Sequence, residues 1–476
     1  MRVALITESG YPYRPGSLSS WCRQLIRGLD GHTFQVIALT DRDSAPPAGP
    51  LPANLTQVTP VPVWEPPAPG PRRISRRTRR AATAAAALLC QGMHVGENQA
   101  SVFRDGLVRL TRLAEDGGHP LAGVPLARIL ATTWRAAGAE PPLGPADAHT
   151  AAVLLEHALR PLSVPAPDAD LTHPTSSGLA LLVALAAKWR EGVPFLLTEL
   201  GVYLRQRYLD YRDRLSPAVR AVMLAFFRAL AGLGYTEAAV VVAGSRFTQR
   251  WQIRHGAHPG KVVVIPAGVD PAEFPVRPEP TTPTVVWVGR IEPLQDLDTV
   301  LEAFYRVRWH LPAARLRVVG PVADVDYHAR CQQRVRRLGL TRAVEFTGKV
   351  THPAPAYASG QVVVRSGTTE GVPYPVLEAM MSGRATVSTD VGAAAEVVGD
   401  AGLLVPAGDP AALSQALVTL LTDARHRRAL AAAAVRRVQD NFPIDLMLRA
   451  YRHVYLDVAD RAGQRRSPAV ALGGAR

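Results

Sequence analysis

Pro271, Pro275, Pro278, Pro280 and Pro283 crowd into one short stretch of the chain. Proline has no backbone N–H and cannot sit inside a helix or a central strand. The stretch therefore reads as an extended linker between two domains. On each side, short β-branched runs alternate with segments of helical apolar spacing, the signature of parallel α/β units. The expected architecture is α/β, with two parallel-sheet domains facing a cleft where a ligand would bind.

Before the linker, residues 3–7 read as a strand, 9–17 as a Gly/Pro/Ser loop, 18–29 as a helix and 34–39 as a second strand. Residues 42–80 break the alternation. Prolines are dense from Pro46 to Pro71, and Arg72, Arg73, Arg76, Arg77, Arg79 and Arg80 follow with no acid among them. A solvated Pro/Arg-rich linker entering a basic helix is the plain reading. Contact with an anionic membrane surface is the sharper one. No aromatic interleaving or nucleic-acid module accompanies the arginines, so a nucleic-acid partner is not expected.

Residues 81–165 read as an Ala-rich helical insertion, interrupted at Gly117-Gly118 and Pro141-Pro142. The alternation resumes near Leu171, with a loop over 172–178, a helix over 179–189, a buried strand over 194–198, a helix over 217–233 and strands over 238–243 and 261–265. Residues 1–270 thus make the first domain. A second domain over 271–440 has strands at 284–288, 315–319, 344–347, 362–365, 385–389 and 403–405. Residues 441–460 hold a final helix, and the Arg-, Gly- and Ala-rich residues 461–476 are expected to be disordered.

Composition excludes several classes. The 476 residues are 47% hydrophobic, enough for large cores. Cys22, Cys90 and Cys331 are too scattered for a disulfide framework or a CxxC metal pair, so a reducing compartment is expected. No apolar run reaches the ~18 residues of a spanning helix, and the N-terminus lacks the apolar core of a signal peptide. A cytoplasmic protein is expected, peripheral to a membrane if the arginines dock. The net charge of +14 is nearly all arginine, since only Lys188, Lys261 and Lys349 are lysines.

The chemistry concentrates in Ser366-Gly-Thr-Thr-Glu370-Gly-Val-Pro-Tyr-Pro-Val-Leu-Glu378-Ala-Met-Met-Ser-Gly383. Here a strand ends, a loop carries Glu370 and Gly371, and a helix starts near Pro375. The amides of the first turn, about Val372 to Val376, are expected to be free to meet a diphosphate. Glu378, one turn in, could accept from a ribose diol, and Glu370 from a second polyol. A nucleotide sugar presents those groups in that order.

This block resembles the paired-glutamate motif of retaining family-4 glycosyltransferases of the GT-B fold, two Rossmann-like domains facing a cleft. Leu377-Glu378-Ala379-Met380, Gly383, Asp390-Val391-Gly392, Glu396 and Val288-Gly289-Arg290 are similar to further elements of that family. Gly10 to Trp21, Leu197-Thr198-Glu199 with Gly201-Val202-Tyr203, and Gly268-Val269-Asp270 resemble the subgroup typified by the Pel exopolysaccharide glycosyltransferase.

The resemblance implies transfer of a sugar from a nucleotide sugar, UDP-glucose or a similar UDP-hexose, to a saccharide or lipid-linked acceptor, in exopolysaccharide or envelope glycan synthesis. It implies no metal and no cofactor beyond the donor. Glu370, Arg290 and His173 are the implied catalytic residues, although a satisfied loop histidine is an equal reading of His173. Gly16, Gly289, Arg290, Gln295, Glu370, Gly371, Val372, Pro373, Tyr374 and Glu378 are the implied donor-binding set. The last helix is expected to cross back onto the first domain. Four positions depart from the pattern: Gln295 stands where the family carries a second cationic lysine, with Leu200, Ser17 and Ala267 at other signature positions. They leave open a second reading, a catalytically weakened paralogue serving as a donor-binding or scaffolding subunit of a polysaccharide assembly complex.

Overall fold

Strands buried on both sheet faces need no polar alternation, and the β-branched runs of this chain form such strands. In the computed structural model, β1 (Arg2–Glu8), β2 (Thr33–Thr40), β3 (Leu55–Pro62) and β4 (Leu171–Pro174) make a parallel sheet in the order β3-β2-β1-β4. A parallel sheet of β5 (Leu196–Glu199), β6 (Val240–Ala243) and β7 (Val262–Val264) continues it through a bridge between Thr172 and Phe195. The second half holds β8 (Thr284–Val288), β9 (Arg315–Val319), β10 (Val344–Gly348), β11 (Val362–Arg365), β12 (Ala385–Thr389) and β13 (Leu403–Val405). They form one parallel sheet in the order β10-β9-β8-β11-β12-β13. The structure describes all residues except Ser9, Pro15, 41–46, Ala48, 65–74, Val95, 115–120, Ala122 and 467–476, and leaves the side chains of 462–466 undescribed.

Around the first sheets lie α1 (Ser17–Gly28), the insertion helices α2 (Arg76–Gly92), α3 (Gln99–Leu113), α4 (Leu126–Ala136) and α5 (Pro145–Leu159), then α6 (Leu179–Glu191), α7 (Tyr203–Asp210), α8 (Pro217–Glu237) and α9 (Arg246–Arg254). The second sheet carries α10 (Leu297–His310), α11 (Val325–Arg337), α12 (Ala354–Ala358), α13 (Tyr374–Met381), α14 (Ala394–Val398), α15 (Pro410–Thr422) and α16 (Ala424–Asn441). The chain closes with α17 (Ile444–Arg466).

Three local expectations change. The stretch read as a linker over 42–80 contains β3, paired along β2 from Phe34↔Leu55 to Thr40↔Pro62. Its prolines are tolerated because β3 is the edge strand of its sheet, with no neighbour on its outer side among the described residues. The stretch read as a loop over 172–178 begins with β4, which is too short and polar to show a period yet is wholly buried. The final helix runs to Arg466, so 461–466 are helical; the rest of the expected tail lies outside the described residues. Arg76, Arg77, Arg79 and Arg80 are exposed on the first turns of α2, which Ser75 caps by accepting from the Thr78 N–H at 3.0 Å. Arg72, Arg73 and the Gly117-Gly118 break lie outside the described residues.

One described helix, α8, is long and apolar enough to cross a bilayer (mean hydropathy 1.4). Its apolar window is 61% buried, and Phe226, Phe227 and Leu230 lie in the first-half core. It is a core helix.

The two halves are tied at the hinge. The Val269 N–H donates to the Phe442 carbonyl at 2.9 Å, so the outgoing chain and the returning α17 run side by side. α17 then buries Tyr451 and Tyr455 completely against α1 and β4. A single apolar cluster includes Trp21 and Cys22 of α1, Tyr374 and Leu377 of α13, and both tyrosines.

Candidate active site

The parallel register Val364↔Trp287 places the ends of β11 and β8 side by side. Arg365, the last residue of β11, turns its guanidinium under the end of β8. Its Nη1 donates to the Val288 carbonyl at 3.3 Å, and its Nε to Glu370 Oε1 at 2.5 Å. Nη2 pairs with the same oxygen. Both side chains are nearly buried, at 6% and 11% exposure. Gly289 makes room for this: a Cβ there would fall 2.6 Å from Arg365 Nη1.

The loop carrying Glu370 is stitched down on both sides. Ser366 Oγ donates to the Gln295 carbonyl at 2.8 Å, and Thr389 Oγ1 to the Gly367 carbonyl at 2.8 Å. Gly371 lies against the first domain, where a Cβ would come within 2.1 Å of the Leu200 carbonyl oxygen. The Val372 N–H donates to that oxygen at 2.8 Å. Farther along, Glu396 accepts from the N–H groups of Arg246 and Phe247 at 2.8 and 2.6 Å, so its carboxylate caps α9 from across the cleft.

The expectation of free amides at the start of α13 is corrected here. Pro373 and Pro375 have none, Val372 is bonded to Leu200, Tyr374 donates to the Val372 carbonyl and Val376 to the Pro373 carbonyl. Two prolines in one turn force short local bonds onto the neighbours that remain.

Glu378 projects from α13 and is 8% exposed. Tyr357 donates to its Oε2 at 2.6 Å. Burial pushes its carboxyl up to about 7. Tyr374, expected at the donor, is 1% exposed and sits in the interdomain cluster, its hydroxyl buried without a partner.

Arg290 is the exposed cation of the site. Its Nη2 meets Glu292 Oε1 at 2.7 Å, with the arginine side chain 52% exposed. Gln295 Nε2 donates to the same Glu292 oxygen at 3.3 Å, while its own Oε1 is buried without a partner. Gly16 lies at the N-terminus of α1, exposed, with open space where a side chain would stand.

His173 is not a loop residue. It lies within β4 at 0% exposure, with Nδ1 bonded to the Tyr455 hydroxyl at 2.8 Å and Nε2 to Thr198 Oγ1 at 2.7 Å. Burial drives its imidazole down to about 3, so the ring stays neutral. It joins the first sheet to α17 and meets no solvent, as the reading of a satisfied histidine expects. Glu199 is buried likewise, accepting from Ser177, Tyr235 and Gln252. Arg365 was absent from the sequence-derived set. Its signal was a charged residue closing the apolar run Val362–Arg365 just before the glutamate loop.

Residues 1–260 match the family described as a domain of unknown function (DUF3492), and residues 282–423 match glycosyl transferases group 1. The chain belongs to the first of these families, and its second half is similar to the second. The group 1 match contains Gly289, Arg290, Gln295, Arg365, Glu370 and Glu378.

A D-inositol 3-phosphate glycosyltransferase of Kineococcus radiotolerans is 32% identical over 243 residues, 44% of this chain and 55% of the relative. A phosphatidyl-myo-inositol mannosyltransferase of Mycobacterium leprae is 31% identical over 227 residues, 45% of this chain and 59% of the relative. An exopolysaccharide phosphotransferase of Streptomyces coelicolor is 28% identical, with 47% of this chain covering 24% of that protein. The chain thus spans between 24% and 59% of these curated relatives.

Among solved structures, sucrose-phosphate synthase from Thermosynechococcus elongatus superposes with a TM-score of 0.65 at 16% identity, covering 97% of this chain and 99% of that one. HepE of Anabaena, solved with UDP, gives 0.61 at 15%, covering 96% and 100%. At these identities the likeness concerns the fold, which is GT-B.

Proposed function

We propose that the protein is a retaining glycosyltransferase of the family-4 type, moving a hexose from a UDP-sugar to a saccharide or lipid-linked acceptor in exopolysaccharide or envelope glycan synthesis. The observation that carries this reading is the placement of Glu370 and Glu378 in a group 1 domain, one on a fixed loop and one buried behind it at the cleft. A structural neighbour, HepE, was solved with UDP-glucose, which supports the donor class.

In this reading Glu378, once ionised, accepts from the ribose hydroxyls. Glu370 offers its carboxylate to the transferred sugar while Arg365 holds its other side. Arg290 swings from Glu292 to the diphosphate, stabilising the charge that develops on the leaving group. Arginine takes the place of a metal in neutralising the diphosphate, and no further cofactor enters. The subgroup resemblance to the Pel enzyme favours work on the inner side of the membrane, with Arg76 to Arg80 facing anionic lipid.

One set of observations favours the second reading, a weakened paralogue retained for donor binding or scaffolding. Both site arginines are already paired with glutamates, the first-turn amides are occupied, and Gln295 supplies no charge. The test is turnover with a panel of nucleotide sugars. Transfer or donor hydrolysis by the wild type is expected, and Gln295→Lys is expected to raise it about tenfold or more by adding a cation at the diphosphate. An inert wild type awakened by Gln295→Lys would establish the weakened paralogue; inertness of both would sink the catalytic reading.

A further inference from the structure

A cavity of about 190 Å³ lies apart from the glutamate loop, at the carboxyl ends of β1, β2 and β3. Glu8, Thr40 and Trp64 mark those three strand ends. The insertion helix α5 closes one side with Leu154 and Ala158, and the other is closed by Tyr203 and Arg207 of α7 with Tyr211 just beyond it. The volume exceeds the needs of a single water many-fold.

Its polar groups are fixed. Glu8 accepts from the Tyr203 hydroxyl at 2.7 Å, the Leu179 N–H at 2.9 Å and Ser176 Oγ at 3.3 Å. Gly178 is needed for this approach, since a Cβ there would fall 2.3 Å from the Tyr203 ring and 2.5 Å from Glu8 Oε2. The Arg207 guanidinium lies over the rings of Tyr203 and Tyr211, at 5.2 and 5.7 Å, and its Nε is buried without a hydrogen-bond partner. Trp64 is 42% exposed and stacks on His157 at 5.2 Å.

A fixed carboxylate, a guanidinium with an unused N–H and an exposed indole make a polyol-reading set. The ionic groups can bracket adjacent hydroxyls, and the indole can cover the C–H face of a pyranose. Glu8 and Asp210 offset the arginine charge, which disfavours an anionic sugar; Asp210 lies 3.4 Å from Arg207. Its wall is linked to the donor loop through the chain. Tyr203 follows closely on Leu200 and Gly201, the residues that touch Val372 and Gly371.

We propose that this cavity binds a hexose unit of a neutral oligosaccharide acceptor, with Glu8 and Arg207 on its hydroxyls and Trp64 on its ring. The proposal rests on the transferase reading but is tested separately from it. Malto-, cello- and manno-oligosaccharides are titrated into the full chain without donor, by calorimetry and tryptophan fluorescence, while UDP binding is measured in parallel. At least one saccharide is expected to bind. Trp64→Ala and Glu8→Gln are each expected to weaken it about tenfold or more, and Trp64→Phe to retain most of the affinity. Trp309→Ala, at a tryptophan 68% exposed on the other half, serves as the control and leaves it unchanged. Melting curves certify that each variant folds. Saccharide binding indifferent to Trp64 and Glu8, or none at all by protein that binds UDP, overturns the cavity proposal. Failure to bind UDP bears on the transferase reading instead.

Discussion

Two arginine–glutamate pairs stand at the ends of neighbouring strands, and they differ in the one property that sets their worth. Arg290 and Glu292, beyond β8, are 52% and 18% exposed; Arg365 and Glu370, beyond β11, are 6% and 11% exposed. The outer pair sits in water, is screened by salt and is worth about 0–1 kcal/mol. An arriving diphosphate can open it at little cost. The inner pair has given up its hydration, so losing either partner leaves an uncompensated charge. One is a movable cation and the other a fixed support for the glutamate beside it. Glu378 completes the contrast, being buried with a tyrosine partner and no cation, so its carboxyl rises to about 7.

The largest effect is expected at the inner pair. Arg365→Ala should cost about 3–5 kcal/mol of stability, read from thermal or urea unfolding, together with turnover. Adding Glu370→Ala to it should recover part of the stability and none of the activity, a coupling that a double-mutant cycle measures. A cost below about 1 kcal/mol would erase the distinction between the pairs.

Glu378 comes next. Its folded-state carboxyl lies above its ordinary value of 4.5, so the ionised form destabilises the fold. Stability tied to this group is intact below the ordinary value and is lost as pH rises through about 7. Glu378→Gln should therefore gain stability at pH 8, up to ~3 kcal/mol, and almost none at pH 4.5. The same variant should bind UDP more weakly, and wild-type UDP affinity should itself rise with pH across this window. A pH-independent difference in melting temperature would contradict the assignment.

The smallest stability effect belongs to the outer pair. Arg290→Ala should shift unfolding by less than about 1 kcal/mol while weakening UDP binding about tenfold. The loss should shrink at high salt. A large stability loss there would make the two pairs alike.

Much of this was legible from residue order. Continuous apolar runs mark β8 and β11, because a strand buried on both faces needs no polar alternation. The spacing of Glu370 and Glu378 marks a loop and a helix one turn apart. β3 and β4 were hidden, the first by prolines that only an edge position tolerates, the second by its brevity. His173 misled because a polar residue beside prolines looks like a loop. Its burial depends on Tyr455, far along the chain. Arg365 was overlooked because its partner and the glycine that admits it lie on different segments.

The sequence alone therefore determined the two β/α halves, the linker between them and the position of the paired glutamates, since periodicity and proline act through neighbours in the chain. Only the tertiary structure decided which charges are paired and which amides remain. Those outcomes depend on separated strand ends meeting: Arg365 under Gly289, Leu200 against Val372, His173 beneath Tyr455. Burial and charge compensation belong to such meetings, and no single stretch of sequence contains both partners.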